Sequence, residues 1–138
     1  MRTLGDTASL AHRQRERAPL YAARSARDGL GVFAGTDIPR GRIVERCPVL
    51  VLSSRHAPAL EQAGLHGYLY EWDGQLAVAL GMGSLYNHSQ SPNATYEAHL
   101  DDRLLVVRAA RSIAAGEEIT IDYVAAGQRD DLWFEPID

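Results

Sequence analysis

Turn chemistry constrains this sequence more than any other feature. Gly29-Leu30-Gly31, Asp37-Ile38-Pro39-Arg40-Gly41, Asp73-Gly74, Asp101-Asp102-Arg103 and the run from Ser112 to Gly116 cut it into short segments. Proline and glycine there supply the restricted and left-handed backbone angles that tight turns require. The segments between them are rich in β-branched and aromatic residues and read as strands: 20–26, 32–34, 42–52, 68–72, 75–80, 94–100, 104–107 and 118–123. Asp73-Gly74 between two such runs predicts a hairpin, and the Asp101–Arg103 turn predicts a second. Pro48, inside the longest run, implies an edge strand, a bulge or a break. A short helix is expected over 56–63, ended by Gly64, and one helical turn over 82–86. These signals describe one mainly β domain with many short strands and little helix.

A chain of 138 residues suffices for a single core. The longest apolar runs, 48–52 and 76–80, fall far short of the roughly 20 residues needed to cross a bilayer, so no membrane role is expected. The start has arginines without a continuous apolar stretch, unlike a secretory signal. A single cysteine, Cys47, excludes an intrachain disulfide and a cysteine-cluster zinc site, and a reducing, cytoplasmic setting fits. Delivery to another cell as an effector is left open.

Charge divides the chain. Residues 1–27 carry six arginines against Asp6 and Glu16, a balance of +4, so the remainder holds −8 of a total of −4. An acidic body argues against direct nucleic-acid binding and favours a basic protein or peptide as partner. All 14 basic residues are arginine, so the chain has no lysine of its own to modify.

Two stretches carry chemistry beyond turns. Asn87, His88, Ser89, Pro92 and Asn93 make a run too polar for a strand core, with side chains able to bond backbone or ligand. Leu85-Tyr86 just before it predicts a buried anchor. Alone, the run reads as a polar turn beside a satisfied histidine. The glycines of Gly29-Leu30-Gly31 leave backbone bare for a ligand to approach. They lack the third glycine and following helix of a dinucleotide fingerprint. His88 has no partner histidine or cysteine at metal-ligand spacing, so no metal is expected.

In order along the chain, GLGVFAGTDIPRGRIVE (29–45), NHSQSPN (87–93) and GEEITIDY (116–123) resemble the motifs of SET-domain protein lysine methyltransferases. The spacing is similar to the minimal virus-encoded and bacterial members. The resemblance implies a β-clip fold of small twisted sheets with a C-terminal pseudoknot, in which the NHS segment and the last strand are threaded together. It also implies a division into a basic leader (1–19), the SET domain (20–123) and a short tail (124–138) without zinc-binding cysteines.

The implied activity is methyl transfer from S-adenosylmethionine to the ε-amine of a lysine in a histone or histone-like basic protein. Such an in-line displacement needs collinear reactants and a neutral amine. It calls for an aromatic channel, oxygen acceptors near the methyl group and a cofactor pocket. By resemblance, Tyr123 is the catalytic tyrosine, acting by orientation because a phenol of pKa ~10 is a poor base at neutral pH. Leu30, Gly31, Val32, Asn87 and His88 match the cofactor-binding positions. Tyr96 matches a channel tyrosine, and Ile121 stands where relatives carry the phenylalanine or tyrosine that tunes product state. Trp133, with Phe134, resembles the tail aromatic that completes the channel and covers the cofactor.

The departures matter as well. Gln90 replaces the cysteine of the common NHSC form, and Glu45-Arg46-Cys47-Pro48 lacks a channel tyrosine, for which Tyr70 or Tyr96 is the substitute. That gap favours the second reading, a catalytically silent β-clip module binding a peptide or small ligand. A core this small would also gain from homodimerisation.

Overall fold

At the first predicted hairpin, Asp73 and Gly74 take φ angles of 48° and 78°. Two successive left-handed residues make the turn whose twist matches paired strands. It joins β4 (Leu69–Trp72) to β5 (Gln75–Ala79), with Trp72 opposite Gln75. The second hairpin joins β7 (Ala94–His99) to β8 (Leu104–Ala109), with His99 opposite Leu104. These are features of the computed structural model of the chain, which describes residues 19–123.

The remaining strands are β1 (Leu20–Arg24), β2 (Leu30–Ala34), β3 (Ile43–Leu52), β6 (Asn87–His88) and β9 (Glu118–Ile121). They form two sheets, one in the order β1-β2-β9-β6 and one in the order β4-β5-β3-β8-β7. Helix α1 (Ala57–Gln62) lies between β3 and β4 and is followed by Gly64 at φ 80°, as the sequence predicts. The 82–86 segment differs from expectation. It forms successive four-residue turns, Gly83 N–H to Leu80 O and Leu85 N–H to Met82 O, rather than a turn of α-helix.

Strand β3 does not break at Pro48. It pairs β8 from Ile43 to Pro48, then β5 from Val49 to Leu52, and its bulge lies earlier, between Ile43 and Glu45. Pro48 stands where the partner changes. Its carbonyl accepts from Leu80 N–H at 2.9 Å, and the β5 chain turns away there, so the missing N–H ends that ladder.

The core lies where the sheets meet. Val32 and Ala34 of β2, Ile119 and Ile121 of β9, Cys47 and Val49 of β3, Leu105 and Val107 of β8, and Tyr86 share one buried cluster. Strands from opposite ends of the chain meet there, so the fold depends on contacts distant in sequence.

The polar run corrects the reading of it as too polar for a strand core. Asn87 and His88 form β6, parallel to β9, with Asn87 opposite Thr120 and His88 opposite Ile121. His88, Ser89 and Asn93 are buried. Hydrogen bonds make this affordable. Ser89 N–H extends the ladder to Ile121 O at 2.9 Å. The Asn93 amide imitates another strand, accepting from Thr120 N–H at 2.8 Å and donating to Glu118 O at 2.8 Å. Buried polar groups paired in this way cost little, whereas unpaired ones would cost about 1–3 kcal/mol each.

Candidate active site

The parallel β6–β9 pair gathers the site. β9 is flanked by β2 on one side and β6 on the other, so all three motif segments become neighbours. The backbone just past β9 then turns Tyr123 back over β6. Its N–H donates to His88 Nδ1 at 3.0 Å, and its ring centroid lies 5.2 Å from that of His88. An accepting Nδ1 assigns the ring proton to Nε2. The 3.6 Å approach of Asp122 Oδ1 to Nδ1 is then proximity rather than an ion pair.

The Tyr123 hydroxyl donates to Tyr86 O at 2.6 Å. With its proton committed to a carbonyl, the phenol oxygen can present lone pairs to an electropositive group. Burial, followed by the nearby carboxylates Asp28 and Glu118, pushes Tyr123 up to about 12. The phenol is therefore neutral in ordinary buffers.

Beside it, residues 25–31 are tied down at several points. Asn87 Nδ2 reaches Asp28 O at 3.1 Å, Leu30 O at 3.2 Å and Glu118 Oε2 at 2.9 Å. Ser25 Oγ donates to Glu118 Oε1 at 2.6 Å, and Arg27 Nη1 donates to His88 O at 3.2 Å. Gly31 is required by this crowding. A Cβ there would stand 2.6 Å from Glu118 Oε2 and 3.1 Å from Asn87 Nδ2. Strand β2 meets β9 only at Val32 and Phe33. Short of that ladder, Leu30 and Gly31 stay paired to β1, but on the β9 side they face the Asn87 and Glu118 side chains.

A second group comes from the larger sheet. Tyr70 of β4 and Tyr96 of β7 make an edge-to-face pair with centroids 5.3 Å apart. The Tyr70 hydroxyl donates to Gly83 O at 2.7 Å. Burial chiefly, then the neighbouring Tyr123 and Tyr96 phenols, push Tyr70 well above its ordinary value. Tyr96 is raised by burial and by Asp122 and Glu71. Three phenols thus neighbour one another, and Tyr70 among them also feels Cys47 of the tyrosine-less stretch of β3.

Of the residues read from sequence, Gly31, Asn87, His88 and Tyr123 meet at the β2–β9–β6 junction, with Tyr70 and Tyr96 adjoining. Val32 and Ile121 are fully buried members of the core cluster, and Leu30 is exposed. Trp133 and Phe134 lie outside the described residues. Sequence reasoning singled out Asn93 in the polar run without a role for it, and gave no site role to Glu118 or Glu45. One signal for Glu45 was available: it shares strand parity with Cys47 and Val49, so a carboxylate stood on a core-facing register.

Comparison with known proteins agrees with this geometry. The SET-domain family model matches residues 29–124. A Schizosaccharomyces pombe histone-lysine N-methyltransferase, specific for lysine 37 of histone H3, is 36% identical over 124 residues, covering 86% of this chain and 79% of its own. The crystal structure of a Plasmodium falciparum protein named as a candidate histone methyltransferase superposes with a TM-score of 0.69 at 33% identity. That match covers 80% of this chain and 96% of the other. The chain belongs to the SET-domain family of S-adenosylmethionine-dependent protein lysine methyltransferases.

The residues present suit a sulfonium cofactor. The groups around the Tyr123 hydroxyl are acceptors and carboxylates, namely Tyr86 O, Asp28 and Glu118, which stabilise positive charge. Burial of the tyrosines removes competing water, which strengthens that preference.

Proposed function

We propose that this chain methylates lysine in a histone or histone-like basic protein, with Tyr123 as the orienting tyrosine. The convergence of Tyr123, Asn87-His88 and Gly31 at one strand junction carries this reading. A module that only bound a peptide would not need all three together. S-adenosylmethionine supplies an electrophilic methyl group when bound. Leu30, Gly31 and Val32 would hold it through backbone, and Asn87 and His88 from β6; Trp133 is assigned to the cofactor by the family resemblance alone.

Tyr70 and Tyr96 form the wall of the lysine channel, with Ile121 behind it; Phe134 is assigned to the channel by the family resemblance alone. Tyr70 fills the place of the absent β3 tyrosine, since it packs beside Cys47 and Tyr96. The amine must lose its proton first, which at pH 7 costs a free lysine about 4–5 kcal/mol from its reference pKa. A closed aromatic channel lowers that cost by desolvation. Charge supports a basic substrate: Glu71 and Asp122 act on Tyr96, and Asp28 and Glu118 on Tyr123. The single cysteine, Cys47, is buried, which supports a reducing cytoplasmic setting.

The decisive experiment is incubation with isotopically labelled cofactor and purified core histones, read by mass spectrometry. The chain lacks lysine, so all lysine label belongs to the acceptor. Label on a histone lysine is expected; cofactor binding without transfer to any basic protein would favour the silent binding module.

The pH profile should separate amine from phenol. Turnover is expected to rise with pH through the alkaline range, following deprotonation of the substrate lysine. Tyr123 stays protonated because its phenol is held near 12. The limb should therefore persist, at lower amplitude, in Tyr123→Phe; its disappearance would make Tyr123 the base. Folding sets an upper limit. Tyr70, Tyr86, Tyr96 and Tyr123 are all raised from 10.0 by burial. Their contribution to stability is full below about pH 10 and is lost as pH climbs toward the folded values.

A further inference from the structure

We propose that Glu45 is a positioning residue of the active site, its carboxylate setting the 81–86 loop whose carbonyls hold the hydroxyls of Tyr70 and Tyr123. The proposal rests on the roles given above to those two tyrosines. Glu45 sits on β3 beyond the bulge, and among the described residues its carboxylate accepts from neutral donors. Tyr86 Oη donates to Oε1 at 2.7 Å and Met82 N–H donates to Oε2 at 3.0 Å. A half-buried carboxylate is costly to place unless it is well bonded, so an ordinary core position would favour an apolar residue.

What the carboxylate holds explains its presence. It clamps the loop near its start, at Met82, and at its end, at Tyr86. Gly81, at φ 66°, passes so close to Oε2 that a Cβ there would collide with it. Within this clamped span, Gly83 O accepts the Tyr70 hydroxyl at 2.7 Å and Tyr86 O accepts the Tyr123 hydroxyl at 2.6 Å. Both phenols are thus aimed by carbonyls of a single short loop. The direction of their remaining lone pairs follows from where Glu45 fixes that loop. A glutamine cannot replace it fully: the two donors address different carboxylate oxygens, so one of them would face the amide NH2.

The test uses the full chain in three forms, wild type, Glu45→Gln and Tyr86→Phe, the last cutting the same clamp from the other side. In cofactor-free protein labelled at tyrosine Cζ, NMR resonances of Tyr70 and Tyr123 should shift in both variants. Movement confined to Tyr86 would overturn the proposal. With recombinant histone H3 as acceptor, turnover at saturating cofactor should fall about 10²-fold, the scale of a small misplacement remote from the chemistry. Calorimetric affinity for S-adenosylmethionine should hold, and the ratio of mono-, di- and trimethyl products should change. Variants that lose thermal stability yet keep wild-type turnover and product ratio would reduce Glu45 to packing.

The double variant should be no worse than the poorer single one, because both act on one interaction; additive losses would overturn the clamp. If Glu45→Gln fails to fold, Tyr86→Phe and its tyrosine spectrum decide alone. A wild type that neither binds cofactor nor methylates refutes the proposed function and this role with it. An active wild type with unaffected variants refutes only the role of Glu45.

Discussion

Tyr123→Phe is expected to leave S-adenosylmethionine affinity unchanged while lowering turnover by at least ~10²-fold, the lower scale for a group acting directly at a transition state. The physical reason lies in the hydroxyl's position. It donates its proton to Tyr86 O at 2.6 Å, which in the proposed role turns its oxygen lone pairs toward the reacting methyl and amine. Phenylalanine keeps the ring against His88, 5.2 Å between centroids, and keeps the backbone bond to His88 Nδ1. Fold and cofactor site should therefore survive, and the loss should fall on the chemical step. Calorimetry with single-turnover kinetics separates the two. Undiminished turnover would remove Tyr123 from the mechanism.

The second large effect concerns folding. Asn93→Ala should cost about 2–6 kcal/mol, because Thr120 N–H and Glu118 C=O lose buried partners at about 1–3 kcal/mol each. Against a typical total of roughly 5–15 kcal/mol, that loss is severe. The Asn93 side chain reaches β9 as a strand would, with bonds of 2.8 Å to each group. Asn93→Asp should do no better. It keeps the acceptor for Thr120 N–H but turns an anionic oxygen toward Glu118 O and the Glu117 carboxylate, where the amide now donates at 2.8 and 2.9 Å. Urea denaturation measures both variants. A stable Asn93→Asp would mean that shape, rather than the donor–acceptor pattern, holds β9.

Much of the local architecture was legible without tertiary information. Asp73-Gly74 forces left-handed backbone that few other pairs adopt, and it forms the predicted hairpin. Gly64 ends α1 where expected. Pro48 was read as a local disturbance, and it does mark an exchange of partners, yet no edge or break follows from residue type alone. Which strand pairs on which side depends on β5 and β8, neither of which is adjacent to it in sequence. The polar run was misjudged for a related reason. Composition measures the cost of burying Asn87, His88, Ser89 and Asn93, but their compensation comes from β9, some 30 residues later.

By itself the sequence determined the strand-and-turn grammar, the acidic body, the absence of lysine and the three motifs that together mark a SET domain. Those properties depend on local backbone angles and side-chain chemistry, which neighbours in sequence suffice to specify. Only the tertiary structure decided how the motifs meet. The parallel β6–β9 pair sets Tyr123 over His88, and Gly31 must lack a side chain because Glu118 occupies its space. It also brought Tyr70 from an ordinary hairpin against Tyr96, and bonded Glu45 to the loop whose carbonyls accept from Tyr70 and Tyr123. Hydrogen bonds a few ångströms long join groups tens of residues apart, and no local pattern encodes which of them will come within reach.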